Sequence, residues 1–254
     1  MGTGGSFFML EILRRPVRDY LRLSVHNLNS DEVRHLKLQL YWPAFGILFY
    51  LAEQVIPLEA CHEVYCRLDD FIPFVEYFVI PYVFWYVYLI GMHVYTLLYD
   101  VDAFRKLMKF IMITYTITLV IYILWPNCQM LRPSVFERDN LFTRFMEGFY
   151  TFDTNTNVCP SLHVAGSLAV CFTSWHCRGL NDTSSFSGKI IRHSFNIAAI
   201  LISVSTVFLK QHSFVDIPAA LIVCAVAYPL SFGKLGERLR LMFRRKKSKR
   251  ISVQ

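Results

Sequence analysis

The chain has 254 residues, of which 54% are hydrophobic, 16% aromatic and only 18% charged. That balance excludes an ordinary soluble domain and indicates a polytopic membrane protein, in which a crossing helix needs about 20 apolar residues for a hydrocarbon core about 30 Å thick. The net charge of +7 does not indicate nucleic acid, because the basic residues flank apolar runs, where membrane orientation accounts for them.

Residues 1–37 read as a cytoplasmic segment. Arg14, Arg15, Arg18, Arg22, Arg34 and Lys37 surround no central apolar block, so no cleavable signal peptide is expected and the first membrane helix acts as its own insertion signal. Met1 to Ser6 matches the short myristoylation pattern through Gly2 and Ser6, although a flexible start accounts for it more simply. Leu13, Val17, Leu21 and Leu28 interleave with the arginines, which fits an amphipathic segment on an anionic membrane face or a solvated tail. Asn29 followed by Glu32 resembles a capping box that opens a helix.

Six apolar runs follow, at residues 38–56, 77–98, 107–125, 162–177, 195–209 and 214–232. They predict an all-α fold of six transmembrane helices forming one domain over 38–232, with a basic cytoplasmic tail at 233–254. With the N-terminus inside, only Arg67, Arg132, Arg138, Arg144 and Lys210, five of the 26 basic residues, fall on outer segments. The positive-inside rule therefore gives both termini to the cytoplasm. The basic run 244–250 reads as a stop-transfer that contacts anionic lipid. Residues 126–160 form the longest outer segment, and loops of that length are often functional.

Chemistry-bearing residues collect at the outer ends of these runs. His212 and Asp216 are four apart, which puts them on one face of a helix, so the carboxylate can fix the imidazole tautomer and leave the other nitrogen as a nucleophile. Pro218 suits the first turn of that helix. His163 opens another helix beside Ser161, where a hydroxyl and unpaired N–H groups favour a phosphate and an imidazolium can protonate a leaving oxygen. Arg132, before Pro133, and Lys210 add cations, the first a bidentate fork and the second a point charge. Singly, each of these is as well explained by packing or snorkelling. Together they describe covalent chemistry on a phosphate at the outer membrane boundary.

The combination resembles the type 2 phosphatidic acid phosphatase superfamily, particularly its inositol phosphorylceramide synthase-like branch. That pattern runs Lys, six residues, Arg-Pro; then Pro-Ser-Gly-His; then Ser-Arg, five residues, His, three residues, Asp. This chain has Arg132-Pro133, Pro160-Ser161-Leu162-His163, and Ser205-Thr206 with His212 and Asp216 at the same spacing. It departs at Trp125, Leu162 and Thr206, which stand in place of Lys, Gly and Arg; leucine at that position is similar to the synthase-like branch. The resemblance implies His212 as nucleophile forming a phosphohistidine, Asp216 orienting it, and His163 protonating the departing alcohol. Arg132, Ser161 and Lys210 would bind phosphate oxygens, with Lys210 supplying part of the missing charge. It implies a lipid phosphate or phospholipid substrate and no metal or other cofactor. Water as acceptor makes a phosphatase, and an alcohol acceptor makes a phosphotransferase. The branch points to a bacterial plasma membrane. A non-catalytic lipid-phosphate binder or transporter is the competing class.

Asp153, Asn155 and Asn157 shape either a headgroup site or Asx turns. His62, Cys61 and Cys66 lack a fourth metal ligand. Cys61 with Cys66, or Cys128 with Cys159, are candidate outer disulfides, although seven cysteines, with Cys171 and Cys224 inside apolar runs, oppose a disulfide framework. The aromatic residues Tyr82, Phe84, Trp85, Tyr86 and Tyr88 read as lipid-facing or packing side chains.

Overall fold

Each of the six apolar runs contains a helix, in which the backbone polar groups pair within the segment. A computed structural model of the protein describes residues 20, 28–180, 186–236 and 238. The myristoylation pattern, nearly all of the amphipathic segment and the 244–250 run lie outside them. The helices are α1 (Tyr41–Val55), α2 (Val79–Tyr99), α3 (Val101–Leu124), α4 (Leu141–Phe152), α5 (Leu162–His176), α6 (Phe186–Phe208) and α7 (Asp216–Ser231). Three segments, Glu76–Tyr99, Val101–Leu124 and Phe186–Phe208, are long and apolar enough to cross a membrane. The others in apolar runs, α1, α5 and α7, have 15, 15 and 16 residues, a rise of about 22–24 Å at 1.5 Å per residue.

The start of α1 differs from the expectation at Asn29. Residues 28–33 form turns and a 3-10 helix spans Arg34–Leu40. The Asn29 side-chain oxygen accepts from Lys37 Nζ, so it is engaged along the surface and does not cap a helix.

Helices α3 and α5 form the centre. On α3, Phe104, Leu107, Met108, Ile111, Tyr115 and Tyr122 are buried at the three- and four-residue spacing of one face. It packs on α1, α2, α5 and α7. Helix α5 contributes small buried residues, among them Ala165, Gly166, Ser167 and Ala169, which let the neighbouring backbones approach closely. Only Asp100 separates α2 from α3. Its carboxylate caps α3 by accepting from Ala103 N at 3.1 Å.

The long segment between α3 and α5 is not irregular throughout, because it contains α4. Asn140 and Thr143 make a reciprocal capping box. Met146 of α4, with Phe142, Phe149 and Tyr150, packs against Val79, Tyr82 and Leu209. Two short parallel strands, β1 (His62–Glu63) and β2 (Asn127–Cys128), join the loops after α1 and α3, and Cys128 also bridges to Thr156. All seven cysteines are free thiols, so neither candidate disulfide is formed.

Asn127 fastens this loop layer. Fully buried, its Oδ1 accepts from Val158 N at 2.9 Å and Cys159 N at 2.8 Å, and its Nδ2 donates to Cys159 O and Trp125 O at 2.9 and 3.0 Å. Replacing Asn127 with Ala strands these groups at once. The expected cost is at least about 4 kcal/mol, since four groups are orphaned and each buried one costs about 1–3 kcal/mol. Thermal unfolding in detergent checks this.

Candidate active site

The site lies where α5 and α7 begin, beneath the loop layer. The chain from Asn157 to Ser161 is set by Asn127 and by the Tyr122 hydroxyl, which donates to Pro160 O at 2.6 Å. Ser161 then caps α5 by accepting from Val164 N at 3.4 Å, and its own N–H donates to Asp216 O at 3.3 Å. The starts of α5 and α7 are thereby tied together.

The turn carrying His212 is built from the end of α6. Thr206 O accepts from both Gln211 N at 2.9 Å and His212 N at 3.1 Å. Lys210 turns the chain with φ 53°, a left-handed conformation uncommon for a residue with a long side chain. Asp69, buried in the loop between α1 and α2, holds the turn's far side. Its carboxylate accepts from Ser213 Oγ at 2.6 Å, Phe214 N at 2.7 Å and Cys66 N at 2.9 Å.

His212 and Asp216 meet as their spacing indicates, but not on a shared helix. Helix α7 begins at Asp216, and His212 sits in the preceding turn. His212 Nδ1 lies 2.8 Å from Asp216 Oδ2, placed to donate to that carboxylate, and Nε2 lies 3.3 Å from Ser161 Oγ. Asp216 is fully buried and Oδ2 also accepts from Ser213 N at 3.1 Å.

His163 faces this pair, its ring centroid 5.8 Å from that of His212. Tyr82 and Trp85 of α2 bracket it, each ring 4.4 Å away. These two aromatics, read from sequence as packing or lipid contacts, fix a site residue. Gly166 makes room for Trp85: a Cβ there would meet Trp85 Nε1 at 2.9 Å and the Tyr115 hydroxyl at 2.8 Å. Gly166→Ala is expected to destabilise by roughly 1–3 kcal/mol and to reduce any His163-dependent activity. Adding Trp85→Phe, which frees space, should recover part of both losses in a double-mutant cycle.

The two sequence-predicted cations are occupied differently. Arg132 stacks over Tyr150 at 4.5 Å. Its NH1 donates to Tyr150 O at 3.0 Å, and its NH2 to Asp153 O at 2.7 Å, Thr154 O at 2.8 Å and Gln211 Oε1 at 2.5 Å. Arg132 Nε is buried without a partner among the described residues, as are Gln211 Nε2 and His163 Nε2. Lys210 is not brought to the histidines, since its Nζ donates to Asp69 O at 2.8 Å. Burial pulls both cations below their ordinary pKa values, opposed by Asp153 for Arg132 and by Asp69 for Lys210. Asp153 receives the Tyr82 hydroxyl at 2.9 Å, and burial raises its carboxyl pKa against that bond and against His212 and Arg132.

Gln211, Asp69 and Tyr82 are functional candidates that motif reading passed over. Gln211 adjoins His212, which is the one sequence signal available. Asn155 donates to Gln129 O at 2.9 Å and Asn157 adopts φ 56°, so both shape turns. His62 stacks on Trp125. Among the described residues, no group of three or more His, Cys, Asp or Glu side chains is arranged to hold a metal ion.

Chemically, a carboxylate-oriented imidazole faces a helix start, a second imidazole and several buried donors. That arrangement suits nucleophilic attack on an anionic centre. No protein-family model, curated protein or solved structure matches the chain.

Proposed function

We propose that the protein is a membrane-embedded phosphatase or phosphotransferase acting on a lipid phosphate or phospholipid headgroup. It would be a relative of the type 2 phosphatidic acid phosphatases. The observation that carries this reading is the His212–Asp216 contact at 2.8 Å with His212 Nε2 directed to Ser161 at the start of α5. His212 Nε2 forms a bond to phosphorus as the bond from phosphorus to the lipid oxygen breaks, and protonated His163 gives that oxygen its proton. The oxygen of water or of an alcohol then attacks phosphorus, the N–P bond breaks, and His163 takes the incoming proton. Ser161, the first N–H groups of α5, Gln211 Nε2 and Arg132 Nε bind the phosphate oxygens, and Lys210 acts from its seat on Asp69 as a more distant charge. These groups stabilise the transferring charge without a metal.

In this reading all six apolar helices belong to the membrane domain, with both termini cytoplasmic and the site at the outer boundary of a bacterial plasma membrane. In a secretory-pathway membrane the lumen is the equivalent side. The three shorter helices fit if α5 and α7 start below the surface, under the loop layer that carries Asn127 and Arg132.

The occupied heads of Arg132 and Lys210 favour a second reading, a lipid-phosphate binder or transporter without turnover. Phosphate release from a panel of lipid phosphates by detergent-purified protein, with a chelator present, separates the two. Release that requires His212 supports the enzyme. Binding without release, and without transfer to added alcohols, supports the binder.

A further inference from the structure

At the end of the bundle opposite His212, the first turns of α3 and the last turns of α5 and α7 enclose a cavity of about 320 Å³. Arg105, Lys106, Lys109 and Arg178 line it against only Asp100 and Asp102. Asp100 is held on the backbone, Oδ1 accepting from Ala103 N at 3.1 Å and Oδ2 from Arg178 N at 2.9 Å. Asp102 is exposed, and its pairs with Arg105 and Arg178 are long, 3.4 and 3.7 Å. Half-buried Lys106 has no ion-pair partner among the described residues. Lys109 Nζ donates to Leu230 O at 2.7 Å and draws the end of α7 onto the cavity wall.

A second, independent observation comes from Ser231. It lines the cavity, is only 8% exposed, and its buried Oγ has no hydrogen-bond partner among the described residues. A membrane-orientation rule explains why this end is basic, but not why the charges surround a concavity walled in part by a serine whose hydroxyl is left unpaired. Partly buried cations and an unpaired hydroxyl call for an acceptor-rich anion.

We propose that this cavity binds a phosphate-bearing anion, with Arg105 and Lys106 on its oxygens and Ser231 donating a further hydrogen bond. An anionic phospholipid headgroup and a free phosphate ester share that chemistry. The site is separate from the His212 centre and does not depend on the reaction proposed there.

The test compares the parent protein with Arg105→Gln/Lys106→Gln and with Ser231→Leu, which keeps every charge but fills the cavity. Native mass spectrometry in detergent counts bound phosphatidylglycerol, phosphatidylcholine and glycerol phosphate. Because the His212 site is present in all three proteins, differences report this cavity. The parent is expected to bind one more phosphatidylglycerol than either variant, or to bind it more tightly than both, by roughly thirtyfold against the double variant, the scale of two lost Lys or Arg contacts with an anionic surface. Phosphatidylcholine binding should be equal in all three. An equal difference for glycerol phosphate identifies a free ester as sufficient, and a difference confined to phosphatidylglycerol identifies the lipid. If Ser231→Leu binds phosphatidylglycerol as the parent does, the attraction is only surface charge and the proposal is overturned. Should the double variant not fold, Ser231→Leu alone decides.

Discussion

Replacing His212 with Ala is expected to lower lipid-phosphate turnover by at least about 10³-fold, because it deletes the atom proposed to form the intermediate. The Asp216 carboxylate would then lose its imidazole partner while still accepting from Ser213 N, so the start of α7 should persist and the melting temperature should change little compared with the activity. Asp216→Asn provides the sharper control. It keeps a polar group of the same shape but no longer favours the Nδ1-protonated tautomer, so Nε2 ceases to be the free nitrogen; losses of about 10⁴-fold follow comparable changes in other enzymes. Activity in His212→Ala within tenfold of the parent would end the phosphohistidine mechanism. Equal lipid binding by the parent and His212→Ala, with no turnover in either, would leave the binder reading standing.

The scaffold was legible because its signals are local. Runs of apolar residues located the six hydrophobic helices, and the errors fall where polar residues belong to a helix nonetheless. Helix α3 starts at Val101, before the apolar run, since Asp100 caps it. Helix α6 starts at Phe186, so Lys189, Arg192 and His193 are helical although the apolar run opens only at 195. The capping box at Asn140 and the apolar spacing from Phe142 to Tyr150 are a local, amphipathic signal for α4 within the 126–160 segment. In the site, the legible part is the pair whose spacing encodes proximity, His212 with Asp216, and the Ser161–His163 helix start. What was hidden depends on which distant chain arrives. Asp69 reaches the His212 turn from 144 residues away in sequence, its partner being Ser213. Arg132 is diverted to the carbonyls of residues 150–154, and a positive φ turns Lys210 toward Asp69. No spacing rule reports where a long cationic side chain will find its acceptor.

His163→Ala should separate the two chemical steps. Its proton is needed in the first step only when the leaving oxygen is a poor leaving group, as the alkoxide of a lipid is. General acid catalysis of that kind contributes about 10²–10⁴-fold, and turnover of a dialkylglycerol phosphate should fall by that range. A nitrophenyl phosphate releases a stabilised phenolate that needs no proton, so formation of the phosphohistidine should be spared. The second step differs, because water or alcohol must lose a proton as it attacks, and the residue that would take it is gone. The variant is therefore expected to give a burst of nitrophenolate close to one per protein, followed by slow turnover, with an acid-labile, alkali-stable phosphoryl label accumulating on His212. An equal loss for both substrates with no burst would assign His163 to packing between Tyr82 and Trp85, where its ring is held at 4.4 Å from each. Trp85→Ala offers the matching control, since a loosened but present imidazole should lower turnover of the dialkyl substrate without producing the burst.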